Sequence, residues 1–298
     1  MERKEYKKIV DKLVKTIKKK GIPEKVKKWK VPELKYDFKN DEEFYEYLLM
    51  LSQSYDKHTF TAYEKEEEEI VKEKEEEEKK IVKDYKKKNM KHPIVKMIKN
   101  NILYIKFYHY FQNITGWKED LDKWVKIVKL KIDKQLQKEP KGIIIDLTEH
   151  YGGNMWPAIY SMYNIYGDNS LLRLTADKKW TNIVKEKNTK GVFKNKDLKF
   201  TKPIGVIVST STISSGELIA ATFAGRKNTF LLGDKTNKSG GYMSMNGQYP
   251  LVKDWIISLI LTESFVETVD GKVHTLEYLR VKKSNNPIKE ASEKIRQK

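Results

Sequence analysis

The sequence predicts an α/β (α+β) protein, with a helical N-terminal region followed by a mixed, partly parallel β-sheet core flanked by helices. Three observations carry that expectation. Near the N-terminus, apolar residues recur at three- and four-residue intervals, the period of one helix face. From Pro93 onward, short apolar runs alternate with helical patterns. Within that part, residues 142–147 and 204–209 read as strands buried on both faces of a parallel sheet.

Taken in order, Tyr6, Ile9, Val10, Leu13, Val14 and Ile17 form one apolar stripe, so the first twenty residues are an amphipathic helix ended by Gly21 and Pro23. A second helix over 42–54, with Phe44, Tyr45, Tyr47, Leu48, Leu49 and Leu51, follows the start signal Asn40-Asp41. The first helix is expected to pack on the second; the alternative is contact with a membrane surface. Residues 64–88 run from Glu-rich to Lys-rich, which suits the dipole of a solvated helix with many i, i+4 pairs. Strand-like 102–111, helical 117–136, strand 142–147, helix 157–166, strand 204–209 and helix 217–224 come next. Strands at 256–261 and 273–281 close the pattern. The implied organisation is a helical region over 1–62, a charged helical cap or linker over 63–93, and an α/β core over 94–298.

Composition narrows the function classes. The 298 residues hold 60 Lys and Arg against 42 Asp and Glu, a formal charge of +18, and no cysteine. Disulfides, thiolate zinc sites and cysteine nucleophiles are thereby excluded. Residues 1–20 lack the apolar core of a signal peptide, and no segment reaches the about 18 apolar residues of a membrane span, so a cytoplasmic or otherwise intracellular protein is expected. Lysine greatly outnumbers arginine and is spread along the chain among Ile, Asn and Tyr, residues that share A/T-rich codons. Base composition accounts for such charge, and no specific nucleic-acid partner is expected. There is no HExxH, no P-loop and no GxGxxG, hence no metal or cofactor expectation, and nothing in the sequence sets an oligomeric state.

Two turns follow the buried strands, at the sheet edge where ligands bind in α/β folds. In GIIIDLTEHYGGN, residues 142–154, adjacent Gly152 and Gly153 permit positive φ and close approach of amides to an oxyanion. In IGVIVSTSTISSGELIAATF, residues 204–223, a hydroxyl-rich turn enters an apolar helix. Ser214 there has two readings: a nucleophile at a helix N-terminus, or an N-cap forming a capping box with Glu217.

The order GIIIDL, Gly-Gly, GVIV and TISSGELIAATFAGRKNTFLLGDKT, over roughly residues 95–270, resembles the catalytic core of the C-terminal processing (tail-specific) serine proteases. It is most similar to the nisin resistance protein branch of that family. The resemblance implies Ser214 as nucleophile, with the Ser215 amide and Gly152 or Gly153 as oxyanion hole. Where lysine-type members carry their base and its glutamine, this chain has Ser239 and Met243, with Lys238 one residue away. Histidine-type members use a "KHSF"-like segment, matched by Lys57-His58-Thr59-Phe60, which implies His58 as general base. His150 is the second candidate and replaces an Asn-like position of the family motif; His92, His109 and His274 read as ordinary residues. Asp56 and Glu263 are candidate orienting carboxylates. Departures are Thr148 at the motif arginine, the missing Pro-Asp pair near Glu277-Tyr278, and the lack of a PDZ-like insertion. The function implied is a serine peptidase cleaving a peptide or unstructured protein tail through a Ser-His dyad. The alternative is a catalytically silent peptide-binding protein that retains the protease fold, and a Lys-rich surface binder ranks last.

Overall fold

Helix α1 (Arg3–Lys20) buries the stripe Tyr6, Ile9, Val10, Leu13, Val14 and Ile17, and places Lys18, Lys19 and Lys20 in its last turn, where the helix dipole favours cations. After Gly21 the short α2 (Pro23–Lys28) begins with proline at its first position. Helix α3 (Asp41–Tyr55) starts at Asn40, whose side chain accepts the Glu43 N–H at 2.9 Å. Its Phe44, Tyr47, Leu48 and Leu51 form one core with the α1 stripe. That apolar face is covered within the fold, as the packing expectation for α1 requires.

The computed structural model describes residues 3–57, 59–63, 93–109, 117–166, 172–174, 180–182, 200–234, 244–252, 257–267 and 281–298. They divide into two compact units. One holds α1–α3, β1 (Phe60–Tyr63), β9 (Ser244–Pro250) and nearly all of β10 (Ile257–Glu267). A sheet of order β1-β10-β5-β6 includes the short β5 (Leu172–Leu174) and β6 (Trp180–Asn182), and β9 also pairs with β10. β1 and β9 both run antiparallel to β10, and a bulge falls between Thr262 and Ser264. Ile257, Leu259 and Leu261 of β10 complete the α1–α3 core.

The other unit is built on a six-stranded sheet of order β11-β8-β7-β4-β3-β2. β2 (Ile94–Ile98) and β3 (Ile102–Lys106) form a hairpin whose turn uses Asn100 and Asn101 at positive φ. β3, β4 (Gly142–Asp146), β7 (Ile204–Val208), β8 (Thr229–Gly233) and β11 (Val281–Lys283) are all parallel. Every residue of β4 and β7 is buried, as their apolar runs require. Helix α8 (Pro287–Arg296) covers one face, packing Ala291 and Ile295 on Ile144, Ile207 and Leu232. Helix α4 (Trp117–Leu136) buries Trp124, Val125, Val128 and Ile132.

Several boundaries differ from expectation. The strand expected over 102–111 ends at Lys106. The helix expected over 157–166 is two short ones, α5 (Trp156–Ser161) and α6 (Tyr163–Tyr166), divided at Met162. Helix α7 (Ser215–Ala221) lies two to three residues earlier than expected. Of the strand expected over 273–281, only residue 281 is described, within β11; the charged segment 64–88 lies outside the described residues.

Tyr55 joins three elements of the first unit. Its Oη accepts the Ile22 N–H at 2.7 Å and donates to the Thr262 carbonyl at 3.2 Å, while burial pushes its phenol up to about 12. Tyr55→Phe removes both hydrogen bonds at nearly constant volume, so urea unfolding should show a loss of about 1–3 kcal/mol. An unchanged midpoint would mean that water replaces the hydroxyl.

Candidate active site

β4 delivers Asp146 to the carboxyl edge of the parallel sheet, and the side chains there tie its turn down. Asp146 is buried and accepts the Tyr104 hydroxyl at 2.5 Å, the Thr148 N–H at 2.9 Å and the Thr148 hydroxyl at 2.6 Å. Burial and this carboxylate together raise the Tyr104 phenol far above its usual range. Lys106 ion-pairs with Glu149 and lies 3.8 Å from Asp146. Thr148, standing where the resembled motif has arginine, thus closes a local turn over the strand end.

The hydroxyls of the second turn stitch it to the first. Ser209 Oγ donates to the Thr148 carbonyl at 2.7 Å, and Thr212 Oγ1 donates to the Leu147 carbonyl at 2.8 Å while accepting the Ser209 N–H at 2.9 Å. The Ile213 N–H reaches the His150 carbonyl at 3.0 Å. Each hydroxyl here replaces water at a backbone group that the crossing of two turns would otherwise bury unpaired.

Ser214 follows at φ 52, ψ −113, a left-handed backbone that a non-glycine residue adopts at a cost of about 1–3 kcal/mol. It is exposed, whereas Ser215 beside it is buried with an unpartnered Oγ. The Glu217 carboxylate accepts the Ser214 N–H at 3.0 Å. The Ser214 side chain faces the Glu217 N–H in return, so the capping box expected from the sequence is present.

The glycine turn lies against this serine. Gly152 has φ +107, and a Cβ built on it would stand 3.4 Å from Ser214 Cβ and 4.0 Å from Ser214 Oγ. Gly153 follows at φ 93 and is exposed. Of the residues assigned to the site from sequence, Ser214, Ser215, Gly152 and Gly153 fall within one turn cluster.

The histidines divide. His150 is buried, its Nδ1 has no partner, and burial, with the charge of His109 as a smaller contribution, holds its imidazole down at about 4. It is neutral at physiological pH. The His109 ring lies 5.3 Å from that of Tyr151. His58, His92, His274, Lys238, Ser239 and Met243 lie outside the described residues. The flanks of His58 are described, in the first unit. Thr59 is fully buried and its Oγ1 accepts the Thr262 N–H at 3.1 Å, while Asp56 accepts the Thr262 hydroxyl at 3.2 Å and ion-pairs with Lys25. Glu263, the other candidate carboxylate, accepts the hydroxyl of Tyr249.

Sequence reasoning missed the Tyr104–Asp146–Thr148 network and the stitching of the turns. The signal available was the Asp at a strand end with Thr two residues later, together with Ser209 and Thr212 in the opposite turn.

Residues 101–274, more than half of the chain, match peptidase family S41. The chain belongs to that family. It is similar to the nisin-resistance protein of Lactococcus lactis subsp. lactis, at 29% identity over 141 residues, or 45% of this chain and 42% of that one. The match thus spans less than half the length of that relative. A lipoprotein from Streptococcus agalactiae shares the fold with a TM-score of 0.71 at 17% identity, covering 98% of this chain and 96% of that one. A putative peptidase from Parabacteroides merdae does so with a TM-score of 0.50 at 14% identity, over 91% and 87% of the two chains. Among the described residues, no helix is long and apolar enough to cross a membrane.

The buried imidazole makes stability pH-dependent. An unfolded His, near 6.5, takes up a proton that folded His150 refuses until about 4. The unfolded state therefore binds more protons between those values, and stability present above the upper one is lost as pH falls towards the lower, by about 3 kcal/mol. His150→Asn should remove this part of the acid slope in urea unfolding at about pH 7 and about pH 4. Equal slopes in the two proteins would place the acid-sensitive group elsewhere.

Proposed function

We propose that this S41 chain is a serine peptidase that cleaves a peptide or an extended protein tail. Ser214 Oγ attacks the scissile carbonyl, and His58 takes the hydroxyl proton as general base. The amides of Ser215 and of Gly152 or Gly153 stabilise the oxyanion. The proton then passes from His58 to the leaving amine, and water, activated by the same imidazole, releases the acyl group from Ser214. His58 suits this work because imidazole titrates near neutrality, whereas buried His150, held far lower, is a poor proton acceptor at pH 7.

The observation that carries the reading is the strained, exposed Ser214 set beside Gly152 in the part of the chain that matches S41. Strain at a single polar residue, over-determined by the hydrogen bonds around it, is typical of functional positions. The burial of Ser215 favours its neighbour as the reacting hydroxyl.

Fluorophosphonate labelling of the native protein, followed by peptide mapping, tests this. Label is expected on Ser214; Ser214→Ala should abolish it, Ser215→Ala should retain it, and His58→Ala should slow it by about a hundredfold or more. Because the Ser214 side chain belongs to the capping box of α7, Ser214→Ala should cost about 1 kcal/mol of stability, and a melting curve shows that it is folded before the loss of label is read. Label on Ser215 would move the nucleophile by one position. Folded wild-type protein that takes no label would favour the silent peptide-binding reading.

A further inference from the structure

The side chain of His150 is buried, its Nδ1 has no hydrogen-bond partner, and it takes no part in the reaction assigned above. Unpartnered buried polar atoms are uncommon in native proteins, and one beneath a nucleophile turn calls for a reason. Two contacts provide it. The His150 carbonyl accepts the N–H of Ile213, the residue before Ser214, at 3.0 Å. The ring lies against the α-carbon of Gly216, two residues after Ser214, so closely that a methyl group there would stand 2.9 Å from Nδ1 and 2.8 Å from the carbonyl oxygen. His150 therefore touches the chain on both sides of the strained serine.

We propose that His150 is a positioning residue: its carbonyl and the edge of its ring hold residues 213–216 so that Ser214 keeps its left-handed backbone. This rests on the peptidase reading of Ser214. An L-residue at positive φ relaxes unless its surroundings forbid it, and a rigid plane packed under the first turn of α7 forbids it. Gly216 is the complement of that plane, since any larger residue would displace it. Because Nδ1 has no partner, the ring acts through its shape. Asparagine at 150 would keep a planar group at the position of Nδ1, and alanine would leave a void.

Saturation kinetics of fluorophosphonate labelling on the full chain separate the two parameters that matter, the maximal acylation rate and the half-saturating concentration. His150→Ala, shown to be folded by its melting curve, should lower the maximal rate by about tenfold or more with half-saturation unchanged, as misplacement of a reacting atom does. His150→Asn should stay close to wild type. Gly216→Ala probes the same contact from the opposite side, and serves alone if His150→Ala does not fold. Alanine is otherwise favoured over glycine in a helix, so a slowed but folded Gly216→Ala would reflect the lost contact. Folded His150→Ala labelling at the wild-type maximal rate would overturn the proposal, as would His150→Asn proving as slow as alanine. A wild-type protein unlabelled at Ser214 would instead sink the peptidase reading, and this inference with it.

Discussion

The hydrogen bond from the Ile213 amide to the His150 carbonyl, with the hydroxyl bridges beside it, joins two turns that are remote in sequence. Ser209 and Thr148, one such pair, are 61 residues apart. Parallel pairing of β4 with β7 brings the two strand ends side by side, since Asp146 stands opposite Ile207 in register. It does not fix the loops beyond them. Side-chain hydroxyls do that, each satisfying a backbone group that the crossing would strand. The left-handed Ser214 and the approach of Gly152 both follow from this junction. A looser crossing would let Ser214 relax to the negative φ of an ordinary N-cap.

In the first unit, one residue has a comparable role. Thr262 uses its N–H, its hydroxyl and its carbonyl, binding Thr59, Asp56 and Tyr55 in turn. These partners bracket the segment that carries His58. The bulge that begins beside Thr262 leaves the β10 ladder irregular where side chains take over the bonding. Asp56 is held by this threonine and by Lys25, which gives a buried carboxylate the compensation it needs.

Where the fold was legible in the sequence, one physical signal dominated. The six apolar positions of α1 all lie in the core, and the apolar runs of β4 and β7 form the buried centre of the sheet. β9 was not legible because Ser-Met-Asn-Gly-Gln-Tyr-Pro has the composition of a turn; it is a strand because β10 offers a ladder to pair with. α8 was missed for a similar reason, as only Ala291 and Ile295 of its ten residues are buried. At the site, the family resemblance singled out Ser214 and the two glycines. The Tyr104–Asp146 bond spans 42 residues and leaves no local pattern, and neither does the seat of His150 beneath Gly216. Such contacts arise from strand order, which periodicity alone does not encode.

The positive φ of Ser214 also bears on how such a site decays. Glycine would occupy the same backbone angle without strain, and natural domains have only about 5–15 kcal/mol of stability to lose. Replacement of the serine by glycine is therefore a change that both silences the hydroxyl and relaxes the chain. On the peptidase reading proposed above, loss of the nucleophile to glycine would therefore relieve backbone strain rather than add to it.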